Sequence, residues 1–490
     1  MITSANAKVE KWGIFEIVLR ARSSQNPFTS VKIEASFTHE SGDHLVVEGF
    51  YDGEDIYKIR FMPNKMGLWK YTVKSNIEDI DGKKGEFICV EPPERVHGPV
   101  RTSGYHFRYE DGTPYYPFGT TLYAWVYQKR ELVEQTIDSL KDSPFNKVRM
   151  CVFPKYFFYN TEEPAMLPLT WQAEHGKYEV VFNLQFFKYF EGLIEKLCDL
   201  GIEADVILFH PYDKWGFSKM PQSVDKIYLR YLISRISAFR NVWWSMANEY
   251  DFIKPEKDWD DYFQFVQICD PYNHLRSIHQ CFKFYDHSKP WVTHASIQWQ
   301  GSLRSWGGEA GVDIGVNLVP KWRETYKKPI IVDECGYEGD IEYAWGNLPP
   351  QEMVNRIWEG VTSGGYVTHG ETYRSEDEIL WWSKGGRLKG ASKERIAFLR
   401  RILEGAPQFL EPINFDWDVH CIAKEGEFYL IYFDINQPSV RELNLPDNNK
   451  FRIELIDAWE MRITQLGIFS GKCRIRLPGK SYIALRIQKV

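Results

Sequence analysis

The chain has 490 residues, of which 43% are hydrophobic and 26% charged, with a formal net charge of −7. That length predicts several domains around a sizeable core, and the negative balance predicts no general attraction to nucleic acid or to an anionic membrane. No apolar run approaches the roughly 18 residues that mark a spanning helix. Phe, Tyr and Trp make up 16% of the chain, with 18 tryptophans. Most such rings fill cores, but aromatic faces also stack on the C–H face of sugar rings, so the composition leaves carbohydrate open as a ligand. The opening residues MITSANAK lack the continuous apolar stretch of a secretory leader. Eight scattered cysteines without a C-x-x-C pair form neither a disulfide framework nor a zinc site. These features predict a cytoplasmic protein with no cofactor.

Taken in chain order, residues 12–90 carry short alternating runs such as VKIEASF (31–37), YKIRF (57–61) and LWKYTV (68–73). Strands at this spacing with turn signals between them predict a β-sandwich. EPPE at 91–94 breaks the pattern, so the first domain is 1–95. From residue 114 onward strands alternate with helices. Apolar strands are predicted at 115–119, 147–153, 203–209, 242–247, 275–279, 291–296, 329–333 and 365–369. An amphipathic helix is predicted after Asn183, which is placed to cap it, with others near 227–239 and 392–403. Eight strands, most followed by a helix, predict an α/β fold: a (β/α)8 TIM barrel over 96–408. The crossover at 280–290 is too short for a good helix. Alternating runs return at 428–433, 451–456, 473–477 and 482–487, predicting a second all-β domain, a C-terminal sandwich over 409–490.

In such a barrel the chemistry sits at the C-terminal ends of the strands. The fourth strand runs into Asn248-Glu249 and the seventh into Glu334-Cys335-Gly336. Two carboxylates on opposing strands are what retaining glycoside hydrolysis uses, about 5–5.5 Å apart, one as acid and base and the other as nucleophile. Asp333 is a local rival of Glu334, but neighbouring residues of a strand point to opposite faces, so only one of them faces the site. No H-E-x-x-H run or tight His/Asp cluster is visible, so no catalytic metal is predicted. Trp125, Trp215 and Trp299 each follow a strand end and could form a sugar platform or serve packing. Glu371, just beyond the eighth strand, could bind adjacent sugar hydroxyls or anchor its loop.

An apolar strand into Asn-Glu, with a second strand ending in Glu-Cys-Gly 85 residues later (334 − 249), resembles the clan A glycoside hydrolases. The closest resemblance is to the apiosidase-like barrels related to family 5. The segments VEGFYDG (47–53) and IRFMPNKMGLW (59–69) resemble the sandwich that precedes such barrels. The resemblance implies Glu249 as acid/base, Glu334 as nucleophile and Asn248 as the ligand of the sugar 2-hydroxyl. It implies Arg149 beneath the nucleophile, and His210 and His294 in contact with sugar or with the catalytic pair. Relatives carry a tyrosine against the nucleophile on the sixth strand, where this chain has His294-Ala-Ser-Ile-Gln298.

The resulting expectation is a retaining, exo-acting glycoside hydrolase of β-linked, or equivalent furanosidic, glycosides and oligosaccharides. A transglycosidase with the same residues and a non-catalytic carbohydrate-binding protein are the alternatives. The aromatic-rich sandwiches could also hold a homo-oligomer together.

Overall fold

The computed structural model describes residues 7–174, 177–301, 304–306, 314–374 and 377–490. Most of the opening stretch read above for a leader, residues 1–6, lies outside them. Among the described residues no helix is long and apolar enough to cross a membrane.

The N-terminal segment folds as a five-stranded and a three-stranded sheet. Their alternating side chains meet in one aromatic core, where Phe37 stacks on Phe61 at 3.9 Å and Phe15 on Phe87 at 4.1 Å. The joint to the central domain is charged and buried. Arg60 pairs with Glu191 at 3.0 Å, and Arg235 with Asp52 at 2.9 Å.

The centre of the molecule contains eight parallel strands in two hydrogen-bonded groups, five and three. The first group is β1 (Gly119–Thr121), β2 (Lys147–Cys151), β3 (Glu203–Ile207), β4 (Val242–Ser245) and β5 (Arg276–Ser277). The second is β6 (Ala295–Gln298), β7 (Ile330–Glu334) and β8 (Tyr366–Val367). A parallel bridge between Thr120 and His369 joins β8 to β1, and the Thr293 amide donates to the Arg276 carbonyl at 2.9 Å, linking the approach to β6 with β5. Helices follow most strands. Asn183 caps Leu184–Asp199 as predicted, its Oδ1 accepting from the amides of Gln185 and Phe186 at 3.1 and 3.2 Å. No helix lies between β5 and β6.

Two departures from the sequence reading matter for the site. The strand expected at 115–119 begins later, because Tyr115 belongs to a small three-stranded sheet (100–103, 106–109, 114–115). Phe107 of that sheet touches Trp243, His294 and Tyr366, at the starts of β4, β6 and β8, so the sheet covers the N-terminal ends of the strands. The strand expected at 291–296 pairs only from Ala295, opposite Ile330. A hairpin (Leu169–Glu174 and Lys177–Phe182) between β2 and the next helix was not anticipated.

The C-terminal segment forms a six-stranded sheet and a two-stranded ribbon around its own apolar core. It docks on helix Pro350–Thr362, where Trp358 stacks on Tyr432 and Tyr432 donates to Asn355 at 2.7 Å.

Candidate active site

Hydrogen bonding carries the strand register past the formal ends of the strands. The Asn248 amide donates to the Phe209 carbonyl, the His279 amide to Ala247, the Tyr250 amide to His279 and the Trp299 amide to Glu334, at 2.9–3.1 Å. This places Asn248, Glu249, Trp299 and Glu334 on the walls of one cavity of about 400 Å³. Glu249 sits at φ 49°, ψ 57°, a left-handed backbone that costs a non-glycine residue on the order of 1 kcal/mol and turns the chain into the short helix Tyr250–Phe252. On β7 the ladder shifts: Ile297 faces Val332 but Gln298 faces Glu334, leaving Asp333 as the extra residue of a bulge. Simple alternation therefore fails at this point. Asp333 points into the buried layer below, and Glu334 still reaches the cavity.

That buried layer is a balanced charge network. Lys147 Nζ pairs with Asp205 at 2.8 Å and with Asp333 at 2.7 Å, while Ser296 and Thr368 donate to Asp333 at 2.6 and 2.7 Å. Arg149 lies 3.7 Å from Asp205 and 3.9 Å from Asp333, and its other nitrogens reach upward to Tyr123 Oη at 3.3 Å and Asn248 Oδ1 at 3.5 Å. Arg149 thus orients the residues of the cavity floor from beneath.

The two glutamates sit in opposite environments. Burial, and then the negative charge of Glu334, raise the Glu249 carboxyl above its ordinary value, against a hydrogen bond from the Tyr212 hydroxyl. Burial would raise Glu334 as well. It is outweighed by His279, 3.4 Å away, and by the positive charges of Lys155 and Arg149, which hold Glu334 below its ordinary value. Tyr123 donates to Glu334 Oε2 at 3.1 Å. The two carboxyls are thus pushed in opposite directions, Glu249 toward the neutral acid and Glu334 toward the carboxylate, the division of labour that acid–base and nucleophilic chemistry needs.

Several residues expected at the site lie elsewhere. His294 precedes β6, at the opposite end of the strands, and packs edge-on against Phe107 and Trp243. The sixth strand carries no tyrosine, as its sequence indicated, and the hydroxyl that reaches Glu334 comes from Tyr123, just past β1. His210 donates from Nε2 to the Phe153 carbonyl at 3.1 Å behind the cavity wall, and burial together with the charge of Lys155 pushes its imidazole down to about 4. Trp125 is fully buried in the core. Trp215 donates to Glu163 at 2.9 Å and meets Tyr156 edge-on, away from the cavity lining. Glu371 anchors its loop, accepting from the Lys389 and Gly390 amides at 2.6 and 2.9 Å. With Glu338 and His369 it forms a group whose ligand-type atoms all lie within 4.8 Å of one another. Nothing in the residue spacing announces this cluster, and its carboxylates are engaged with backbone amides.

Lys155, Tyr212, His279, Trp345 and Trp382 were missed. Tyr123 and His279 each follow a strand end by two residues, a signal that correct strand limits would have exposed.

The model of the apiosidase-like catalytic domain matches residues 101–420, about two thirds of the chain. The chain belongs to the apiosidase-like family. It is accordingly a glycoside hydrolase. Residues 8–76 match a domain of unknown function (DUF5060) and residues 417–488 another (DUF5605). A candidate glycoside hydrolase from Bacteroides vulgatus is 38% identical over 99% of this chain and 100% of that one, with a TM-score of 0.90. A family 5 glycoside hydrolase from the same organism shares the fold at 17% identity, with a TM-score of 0.61 over 80% of this chain and 93% of that one. No curated protein matches. For this apiosidase-like enzyme the cavity holding Glu249 and Glu334 is the candidate active site.

Proposed function

We propose that this enzyme is a retaining, exo-acting glycosidase built on a closed (β/α)8 barrel of clan A, flanked by sandwiches over 1–95 and 409–490. The observation that carries the reading is the pair Glu249 and Glu334 on one cavity, with their carboxyls pushed in opposite directions. Glu334 attacks the anomeric carbon as Glu249 protonates the departing oxygen. Glu249 then deprotonates the water that releases the sugar from Glu334. Asn248 holds the 2-hydroxyl, with its Oδ1 side steadied by Arg149 and Tyr123. Trp299, Trp345 and Trp382 offer ring faces or edges to the sugar. The cavity volume suits a glycone better than a long polymer, which favours exo action on β-linked or equivalent furanosidic glycosides. The eight cysteines stand as separate thiols, in keeping with a reducing cytoplasm.

The test is hydrolysis of aryl β-glucoside, β-galactoside, β-xyloside, β-apioside, β-galactofuranoside and α-L-arabinofuranoside by the wild type and by Glu334→Ala. The expected result is turnover of one substrate that falls about a thousandfold or more in the variant, with partial return as a glycosyl azide when azide is added. Equal rates in the two proteins would remove Glu334 as the nucleophile. The ratio of transfer product to free sugar separates hydrolysis from transglycosylation.

A further inference from the structure

Lys155 lines the same cavity, with only 3% of its surface exposed. Its ammonium lies 3.7 Å over the ring of Tyr123, 4.4 Å over that of Tyr212 and 4.9 Å over that of Trp382. Among the described residues no carboxylate comes within 4.0 Å of it. The two tyrosines are those whose hydroxyls bond the catalytic pair: Tyr123 holds Glu334 and Tyr212 holds Glu249. The cation therefore sits astride the pair, one tyrosine from each carboxyl.

An ammonium stripped of water costs several kcal/mol, and aromatic faces return only about 2. Burial pulls the Lys155 ammonium below its ordinary value, and a nearby negative charge opposes that fall. The layer beneath has none to spare, because Lys147 and Arg149 already stand against Asp205 and Asp333, two against two. The other titratable groups near the ammonium carry no negative charge in the working range: burial pushes the Cys151 thiol up to about 12, and His210 is neutral. Facing the carboxyls from the far side are His279 and the Cys281 thiol, the latter also pushed up to about 12. The catalytic carboxyls are what remains.

We propose that Lys155 is the fixed counter-charge of the catalytic pair, offsetting one negative charge that moves from Glu334 to Glu249 and back in each turnover. The proposal rests on the retaining mechanism above. At rest Glu334 is a carboxylate, Glu249 a neutral acid and Lys155 a cation, so the three sum to zero. In the first step a Glu334 oxygen bonds to the anomeric carbon, the glycosidic bond breaks and the Glu249 proton leaves with the aglycone oxygen. Glu334 is then a neutral ester and Glu249 the carboxylate. In the second step water gives its hydroxyl to the anomeric carbon and its proton to Glu249, and the ester electrons return to Glu334. The sum remains zero throughout. A cation bound to one carboxylate alone would favour one step at the expense of the other, whereas a position between them serves both.

The experiment compares kcat/KM against pH for the wild type, Lys155→Met, Lys155→Gln and Lys155→Arg on the best aryl glycoside of the panel. Removing a positive charge raises both carboxyls. In Lys155→Met the acid limb, set by Glu334, and the alkaline limb, set by Glu249, both move up by about one pH unit, while Lys155→Arg keeps them in place. Should Lys155→Met fail to fold, the uncharged Lys155→Gln is read in its stead. Limbs that stay put, whatever the fall in rate, would make Lys155 a packing residue and overturn the proposal. Movement of one limb alone would overturn the shared role. The same shifts are read without substrate from the infrared carboxyl bands of protein labelled with 13C-glutamate, assigned with Glu249→Gln and Glu334→Gln. If no glycoside is cleaved, the retaining reading fails, and two carboxyls that still shift together would keep the electrostatic one.

Discussion

Tyr123 has one hydroxyl hydrogen and two acceptors within reach, Asn248 Oδ1 at 2.9 Å and Glu334 Oε2 at 3.1 Å, while Arg149 donates to its oxygen at 3.3 Å. In the proposed mechanism Glu334 becomes an ester whose oxygen accepts less strongly, which frees the Tyr123 hydrogen for Asn248. Removing the hydroxyl takes a donor from a buried carboxylate, a charge-assisted bond worth about 1.5–3 kcal/mol. Tyr123→Phe is therefore expected to lower kcat/KM by about 10–100-fold. It also raises the Glu334 carboxyl, so the acid limb of the kcat/KM profile moves to higher pH with the alkaline limb little changed. Steady-state rates between pH 4 and 9 decide it. An unmoved acid limb would mean that His279, Lys155 and Arg149 hold Glu334 ionised without the Tyr123 hydroxyl.

At the scale of elements, the helix after Asn183 depends on one side-chain oxygen that satisfies two amides at its first turn. Asn183→Ala leaves both to water, and urea unfolding should record a loss of about 1 kcal/mol with an unchanged m-value. This helix was legible because its signals are local: a capping residue followed by apolar positions at helical spacing. The two cavity glutamates were legible for a similar reason, since each follows a run of mostly apolar residues. The sixth strand was not. Its apolar run starts at Trp291, but pairing starts at Ala295, since Thr293 is spent on linking to Arg276, and that four-residue error carried His294 to the wrong end of the site. The first strand was drawn early because Tyr115 opens a largely apolar run, yet its partner is Phe107 of the small covering sheet. Tyr123 fell beyond the expected strand end in consequence. The Asp333 bulge was invisible, since it depends on the neighbouring strand's register. Lys155 and Tyr212 come from loops, whose paths no periodicity specifies.

At the scale of the whole molecule, the change from alternating to strand–helix patterning and back divides the sequence into three stretches. What it could not convey was how the parts seal one another. The small sheet of 100–115 covers the N-terminal ends of the parallel strands, and beneath it Glu203, at the start of β3, is 4% exposed. Burial pushes its carboxyl up to about 8; the indole of Trp243, donating at 2.9 Å, and the charge of Arg240 offset this only in part. A folded-state value above the unfolded one means that the native protein holds a proton the unfolded chain has lost. Below about pH 4.5 both states are protonated and Glu203 costs nothing; as pH rises through the interval up to about 8 the folded state loses stability relative to the unfolded. Glu203→Gln keeps an acceptor for Trp243 and has no proton to lose. It is expected to match the wild type near pH 4.5 and to exceed it at pH 8 by on the order of 4 kcal/mol. Urea unfolding of both proteins at the two pH values isolates this group, because every other titration cancels in the difference. An equal gap at both would mean that water reaches Glu203 beneath the covering sheet and that its carboxyl ionises in the folded protein as readily as in the unfolded chain.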